Sequence, residues 1–270
     1  MVLSKAPYRQ PLTYIFDLDG VIYRGKEIQP YAAETLAALR DRGDHVCFFT
    51  NNSSLSRLSY TKRLQSFGID AEIDDVMTSS YAAALYLLDS NATEGTVFQI
   101  GQEGVRSELE AIGMRVIEND DDPGAKIDYV VVGIDTSFNY DKLARAQNAI
   151  LNGAKFIATN EDLTYPTEGG SVKPGNGSLV AAVRAATSVE PFVPGKPHVY
   201  AIDKILQRTN TPRERAVMVG DNLATDIAAG NRAGICSVLV LTGLTSREMA
   251  EAASGEMKPD IIIETLKELL

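Results

Sequence analysis

The stretch Tyr14-Ile15-Phe16-Asp17-Leu18-Asp19-Gly20-Val21 constrains this chain more than any other. Leu12 to Phe16 is a short run of β-prone residues and reads as a buried strand. At its end two carboxylates stand two residues apart, and a glycine follows at once. The carboxyl end of a parallel strand is where open α/β sheets place their ligands. Two anions this close repel each other and call for a cation. A hard, oxygen-loving ion such as Mg²⁺ suits them, and a phosphate would complete its shell. Asp17 is then a candidate to attack phosphorus, and Asp19 to give and take a proton. The same residues also fit a strand that ends in an Asp-rich turn closed by Gly20.

Three further segments supply partners. Phe48-Phe49-Thr50-Asn51-Asn52 is a second apolar strand, ending in a hydroxyl and an amide. Gly195-Lys196-Pro197 sets one lysine in a tight, proline-fixed place. Val217-Met218-Val219-Gly220-Asp221-Asn222 is a third strand ending in a carboxylate, with Asp226 beyond it. D-x-D, then T-N, then K-P, then G-D-x-x-x-x-D, in this order, resembles the haloacid dehalogenase (HAD) superfamily of phosphohydrolases. The resemblance runs over nearly the whole chain. The wording around Asp17 and around Thr50-Asn51-Asn52-Ser53 is similar to subgroup IIA, the NagD, 4-nitrophenylphosphatase and pyridoxal phosphatase group.

The resemblance implies a Mg²⁺ held by Asp17, by the backbone carbonyl of Asp19 and by Asp221, with Asp226 and Asn222 bracing it. It implies that Gly20, Thr50, Asn51 and Lys196 bind the phosphate. Asp17 would be the nucleophile of an aspartyl-phosphate mechanism and Asp19 its acid and base. Two other classes stay open: a phosphotransferase or mutase on the same fold, and a non-catalytic phosphometabolite-binding protein. The intact pair Asp17 and Asp19 weighs against the second. Implied substrates are sugar phosphates, nucleoside monophosphates, phosphoglycolate and pyridoxal phosphate.

A chain of 270 residues suffices for a sizeable core and two domains. Its net charge of −10 argues against nucleic acid as a partner, since a phosphate backbone demands basic surface. It leaves room for a small anionic substrate, because one metal and one lysine can reverse the field locally. Cys47 and Cys236 fall in predicted strands and read as buried free thiols in a reducing compartment. Met1 to Pro11 is polar, without an apolar core of signal-peptide length, and no stretch is long enough to span a membrane. The expectation is a cytoplasmic enzyme with no membrane partner, as a monomer or a homo-oligomer.

Strands and helices alternate along the chain, which predicts an α/β fold: a doubly wound, Rossmann-like parallel-sheet core. Residues 1–79 and 188–270 read as that core. Residues 80–187 read as a fresh α/β series inserted into it, in size and position similar to the C2-type cap of the HAD family. Val21 to Ile28 reads as an irregular or hairpin-like segment, and the acidic stretch Glu118 to Gly124 as an exposed loop. The expected helices include Ser56 to Phe67, with Leu58, Leu64 and Phe67 inward, and Ala224 to Ala233. Thr245 with Glu248 reads as a capping box. Asp221 and Asn222 compete to cap the Ala224 helix.

Pro174-Gly175-Asn176-Gly177-Ser178 faintly resembles a phosphate loop. No strand is expected before it, and the Walker Lys-Ser/Thr is absent, so it reads as entry into a closely packed helix. Thr159-Asn160-Glu161-Asp162-Leu163-Thr164-Tyr165-Pro166 is similar to the Thr-Asn-x-Asp-x-x-x-Pro cap loop of the pyridoxal phosphatase subgroup. That resemblance assigns Asn160 and Tyr165 to substrate choice, against the plainer reading that Tyr165 packs inside its domain. His198 reads as a helix-start residue and His45 as structural.

Overall fold

The computed structural model describes residues 10–92, 94–118, 121–166 and 172–270. The first nine residues of the polar N-terminus, and positions 119–120 of the acidic loop, lie outside the described residues. The chain divides into two compact units. One comprises Met1–Thr50, Tyr60–Met77 and Lys196–Leu270; the other comprises Asn51–Ser59 and Thr78–Gly195.

In chain order the elements begin with β1 (Thr13–Phe16), the short strands β2 (Tyr23–Arg24) and β3 (Glu27–Ile28), α1 (Ala32–Asp41), β4 (His45–Thr50), α2 (Arg57–Ser66) and β5 (Val76–Thr78). There follow α3 (Ser79–Asp89), β6 (Thr96–Ile100), α4 (Glu103–Ala111), β7 (Arg115–Ile117), β8 (Tyr129–Val132), α5 (Tyr140–Leu151), β9 (Lys155–Ala158), β10 (Thr164–Pro166), β11 (Val172–Pro174) and α6 (Asn176–Thr187). The chain closes with α7 (Tyr200–Thr209), β12 (Ala216–Gly220), α8 (Ala228–Arg232), β13 (Cys236–Val240), α9 (Arg247–Ala252) and β14 (Ile261–Ile263).

The first unit is built on a six-stranded sheet of order β14-β13-β12-β1-β4-β5. β1 runs parallel to both neighbours, with Phe16 opposite Val219 on one side and Phe48 on the other. Strands covered on both faces read as continuous apolar runs, not as alternation. Tyr14, Ile15, Phe16, Phe48, Phe49, Met218 and Val219 are accordingly all fully buried. The chain winds outward from β1 to β5, then restarts at β12 on the opposite side of β1. That reversal opens a crevice at the carboxyl ends of β1 and β12, where such sheets bind ligands.

The second unit has a four-stranded parallel sheet of order β7-β6-β8-β9. Successive strand residues face opposite ways, so each strand feeds two cores. Phe98, Val130, Val132 and Phe156 enter one cluster with Val180 and Val183, while Val97, Val131 and Ile157 enter another with Leu87 and Leu109. β10 and β11 form a separate antiparallel ribbon, with Tyr165 opposite Lys173.

The unit boundaries differ from the expected 79/80 and 187/188, for two physical reasons. Phe192 donates to the Phe156 carbonyl (3.0 Å) and accepts from the Ala158 N–H (2.9 Å), so the segment after α6 is bonded to β9. Residues 51–59 return to the second unit. There the Ser53 hydroxyl accepts from the Ile134 N–H (2.9 Å), and Glu108 accepts from the Arg57 N–H (2.8 Å).

Several local expectations are corrected. Leu58 is 50 % exposed, and the inward residues of α2 are Tyr60 and Thr61, with Leu64 one helical turn further on. The helix expected over 224–233 opens as a π-helical turn, Leu223–Ile227, before α8. Ser246, not Thr245, caps α9, accepting from the Met249 N–H. Strand β11 does precede the Gly175 loop. The closely packed reading of that loop holds: a Cβ on Gly175 would lie 2.1 Å from the Asp162 carbonyl oxygen, and one on Gly177 2.2 Å from that of Glu161. Cys47 is buried, and burial pushes its thiol up to about 11, whereas Cys236 is only half-buried.

Candidate active site

Three neighbouring strand ends of the first unit deliver the site. Asp17 follows β1, Thr50 ends β4 and Asp221 follows β12. The Asp17 N–H donates to the Val219 carbonyl (2.9 Å), which carries the ladder one residue past β1 and fixes the carboxylate at its end. Carboxylate oxygens of Asp17, Asp221 and Asp226 all lie within 4.8 Å of one another.

Lys196 is the counter-ion inside this group. Its ammonium is 2 % exposed and donates to Asp17 Oδ1 (2.6 Å), Asp226 Oδ1 (2.7 Å) and the Phe49 carbonyl (3.0 Å). Buried between two anions, it is pushed above the usual lysine range, burial itself acting the other way. Asp226 turns its other oxygen to the N–H groups of Asp221 (3.2 Å) and Asn222 (3.0 Å). The π-helical turn makes this possible, since it swings Asp226 back over the start of its own helix. Asn222 caps that turn through the Ala224 N–H (2.9 Å), which leaves Asp221 out of the cap. Asp221 instead accepts from the Leu244 N–H (2.7 Å), and its carbonyl accepts from the Thr245 hydroxyl (2.6 Å).

Glycines let these groups close in. A Cβ on Gly220 would meet Asp226 Cβ at 2.1 Å, and one on Gly243 would meet Asp221 Oδ2 at 1.8 Å. Gly20, at φ +88°, would bring a Cβ to 2.4 Å from the same oxygen. The resemblance assigns Gly20 to phosphate binding; in this structure its N–H donates to the Tyr23 carbonyl (2.8 Å), and the residue contributes space and a left-handed turn.

Three carboxylates against one ammonium leave two negative charges in a buried group. The consequence is visible in the acids. Burial, reinforced by Asp226, pushes Asp221 up to about 7. Burial also raises Asp17 well above the carboxylate range, with Lys196 opposing and the neighbouring carboxylates adding to the rise. Asp19 stands at the rim, exposed, with its carboxyl raised by the protein crowded about it and lowered by Arg63 and Lys196. A hard divalent cation matches both the charge and the all-oxygen donor set.

A stability prediction follows. Asp221 carries a folded pKa above the unfolded carboxylate value, so its contribution is full at low pH and is lost as pH rises from about 4 toward about 7. Metal-free protein should therefore melt at falling temperature across that window. Mg²⁺ at a hundredfold excess over its Kd should add ~2.7 kcal/mol, about 5–10 °C in Tm, with the gain larger at pH 7 than at pH 5. Melting curves with Mg²⁺ or EDTA check this; a gain independent of pH would separate the metal from these carboxylates.

Other expected residues are placed as follows. Thr50 is buried at the end of β4. Asn51 is assigned to the second unit, where its amide donates to Asp162 Oδ2 (3.1 Å). Asn160 is buried, donating to the same oxygen (2.9 Å) and accepting from the Thr159 hydroxyl (2.9 Å). Tyr165 is half-buried in β10. His45 and His198 are exposed. Sequence reasoning missed Asp162, Arg63 and the Gly243-Leu244-Thr245 loop. The loop announces itself only as a glycine after a strand, and Asp162 only as a member of the Thr159–Pro166 motif. Among the described residues, no helix is long and apolar enough to cross a membrane.

This arrangement defines a hydrolase of phosphoryl-transfer type on a doubly wound sheet, and the comparisons agree. The model of the family described as haloacid dehalogenase-like hydrolase matches residues 14–115, and a second HAD-hydrolase-like model matches residues 193–269. The chain is 40 % identical over 255 residues to the 5'-nucleotidase YutF of Bacillus subtilis, covering 94 % of this chain and 96 % of that one. It is 35 % identical over 269 residues to bovine chronophin, covering 95 % and 91 %. A solved p-nitrophenyl phosphatase from Archaeoglobus fulgidus superposes with a TM-score of 0.88 at 33 % identity, covering 97 % and 98 %. A glycerol phosphate phosphatase from Mycobacterium tuberculosis, solved in complex with magnesium, gives a TM-score of 0.86 at 36 % identity, covering 95 % and 75 %. The chain belongs to the haloacid dehalogenase-like hydrolases.

Proposed function

We propose that this protein is a Mg²⁺-dependent phosphomonoester hydrolase acting on small phosphorylated metabolites through an aspartyl-phosphate intermediate on Asp17. The observation that carries the reading is the convergence of Asp17, Asp221 and Asp226 around the buried ammonium of Lys196. Asp17, Asp221 and the backbone carbonyl of Asp19 would hold the ion, with Asp226 and Asn222 bracing them. When bound, it supplies charge neutralisation and a fixed orientation for the phosphoryl oxygens.

The chain's own groups do the rest. Asp17 attacks phosphorus in line, and the bond to the leaving oxygen breaks as Asp19 gives that oxygen its proton. Asp19 then takes a proton from water, the water oxygen attacks phosphorus, and the Asp17–phosphorus bond breaks to release inorganic phosphate. Lys196 would share its donors with the transferring group, and the resemblance gives Thr50 and Asn51 the same task. Pre-set cations and amides are most of what phosphoryl transfer asks of a protein.

The relatives' names span nucleotides, phosphoglycolate and sugar phosphates, so the class of small phosphomonoesters is the supported level of detail. A cytoplasmic location fits the reducing-compartment reading of the cysteines. The reading is tested by incubating purified protein with a phosphomonoester panel and Mg²⁺. Inorganic phosphate released without an added acceptor supports it, and phosphate transfer only to a second substrate would make the protein a phosphotransferase.

Substrate choice is assigned by the resemblance to Asn160 and Tyr165. Tyr165→Ala should reorder relative kcat/KM across the panel by ~1–3 kcal/mol in discrimination while keeping 4-nitrophenyl phosphate within about tenfold. An unchanged ranking with a clear fall in Tm would return Tyr165 to packing within its own unit.

A further inference from the structure

The short hairpin β2–β3 follows directly on the Asp17–Gly20 loop and is tied to it by backbone bonds. Gly20 donates to the Tyr23 carbonyl (2.8 Å), Tyr23 donates to the Leu18 carbonyl (3.2 Å), and Asp19 and Tyr23 pair as an isolated bridge. Two residue pairs, Tyr23–Ile28 and Arg24–Glu27, make the whole ladder of this hairpin. A ribbon this short is marginal by itself, so something else must hold the loop that carries Asp19.

That support comes from α2. Arg63 lies with its guanidinium 3.9 Å from the centroid of the Tyr23 ring and donates to the Gly25 carbonyl at the hairpin's turn. Phe67, just past the same helix, packs ring to ring with Tyr23, the centroids 5.6 Å apart. Tyr23 is fully buried, and its hydroxyl has no hydrogen-bond partner among the described residues. Its ring therefore holds its place by what packs on it, and a planar guanidinium that stacks and donates at once suits that task.

We propose that Arg63 is a positioning residue for the reaction. It clamps the hairpin against α2 and so fixes the backbone from Leu18 to Tyr23, which sets where the Asp19 carboxyl stands relative to the leaving oxygen. The proposal rests on the reading of Asp19 as the proton donor. Misplacement of a catalytic group by about 1 Å can cost ~10²-fold in rate.

The test uses Arg63→Met, which keeps the packed stem and removes the fork, with Arg63→Lys as the conservative variant and Asp19→Asn as reference. Backbone amide exchange over residues 20–28 should quicken at least tenfold in Arg63→Met while β1, β4 and β12 exchange as in wild type. In the same variant, kcat/KM, which reports the steps up to loss of the leaving group, should fall at least tenfold on an alkyl phosphomonoester such as phosphoglycolate and less than threefold on 4-nitrophenyl phosphate, whose leaving group needs no proton. Arg63→Lys should recover part of both.

Unchanged exchange over 20–28 would overturn the clamp. Equal losses on the two substrates would overturn the link to proton delivery and leave Arg63 a structural residue. If Asp19→Asn itself shows no leaving-group dependence, the acid assignment is at fault and takes the proposal with it. If Asp19→Asn shows that dependence and Arg63→Met does not, only the proposal falls.

Discussion

Asp17→Asn abolishes turnover and leaves the fold standing: this is the largest effect expected. The amide is nearly isosteric and its oxygen can still accept from Lys196, but it cannot attack phosphorus, and it withdraws one charge from the metal's donor set. Activity should fall below a hundredth of wild type, at least ~2.7 kcal/mol in the barrier. The same change relieves a repulsion. Burial raises the pKa of Asp17, and nearby Asp226 and Asp221 raise it further, so its charged form is disfavoured in the folded protein. Without metal, the variant should melt no lower than wild type at pH 7, and with Mg²⁺ it should gain less. Turnover above about a hundredth of wild type, ~2.7 kcal/mol, would point to another nucleophile.

The second largest effect separates the two acids of the first motif. Asp19→Asn should still take up Mg²⁺, because the contact assigned to residue 19 is a backbone carbonyl. It should lose proton transfer, typically worth ~10²–10⁴-fold. The loss in kcat/KM, which reports the steps up to departure of the leaving group, should be steep for alkyl esters and shallow for 4-nitrophenyl phosphate, whose phenolate leaves unaided. A uniform loss would mean that Asp19 is not the leaving-group acid. Gly243→Ala probes the same centre from behind. Its Cβ would press into Asp221 Oδ2, so the Mg²⁺-dependent gain in Tm should shrink and the Kd for Mg²⁺ should rise by tenfold or more, ~1.4 kcal/mol. An unaltered Mg²⁺ titration would mean that the 242–245 loop gives way without disturbing Asp221.

Much of the first unit was legible because its strands are buried on both faces. Such strands show as unbroken apolar runs, and three of them end in polar residues that have no business in a core: Asp17, Thr50 and Asp221. The motif order tied those ends to one chemistry. Less legible were features that depend on what meets what across long separations in the chain. Ser53 pairs with Ile134, and Phe192 with Phe156, and nothing local in either segment announces its partner. The unit boundaries therefore moved.

Helix periodicity also failed where a carboxylate was recruited. Residues 224–233 read as one regular helix, yet the chain widens to a π turn that sends Asp226 back to the N–H groups of Asp221 and Asn222. Thr245 had the spacing of a cap and was taken by the Asp221 carbonyl instead.

The sequence by itself determined the α/β class and the strands that end in Asp17, Thr50 and Asp221, because these follow from burial pattern and residue chemistry within short windows; the proposed roles of Asp17 as nucleophile and Asp19 as acid rest on the family resemblance. Only the tertiary structure decided the electrostatics. Lys196 reads from sequence as a phosphate ligand, and in the fold it is also the buried counter-ion of Asp17 and Asp226. Arg63 reads as one more charge on a polar helix, and in the fold it lies over the Tyr23 ring. A charge acquires its energetic meaning from its distance to other charges and from the water excluded around it, and neither is written in the order of residues.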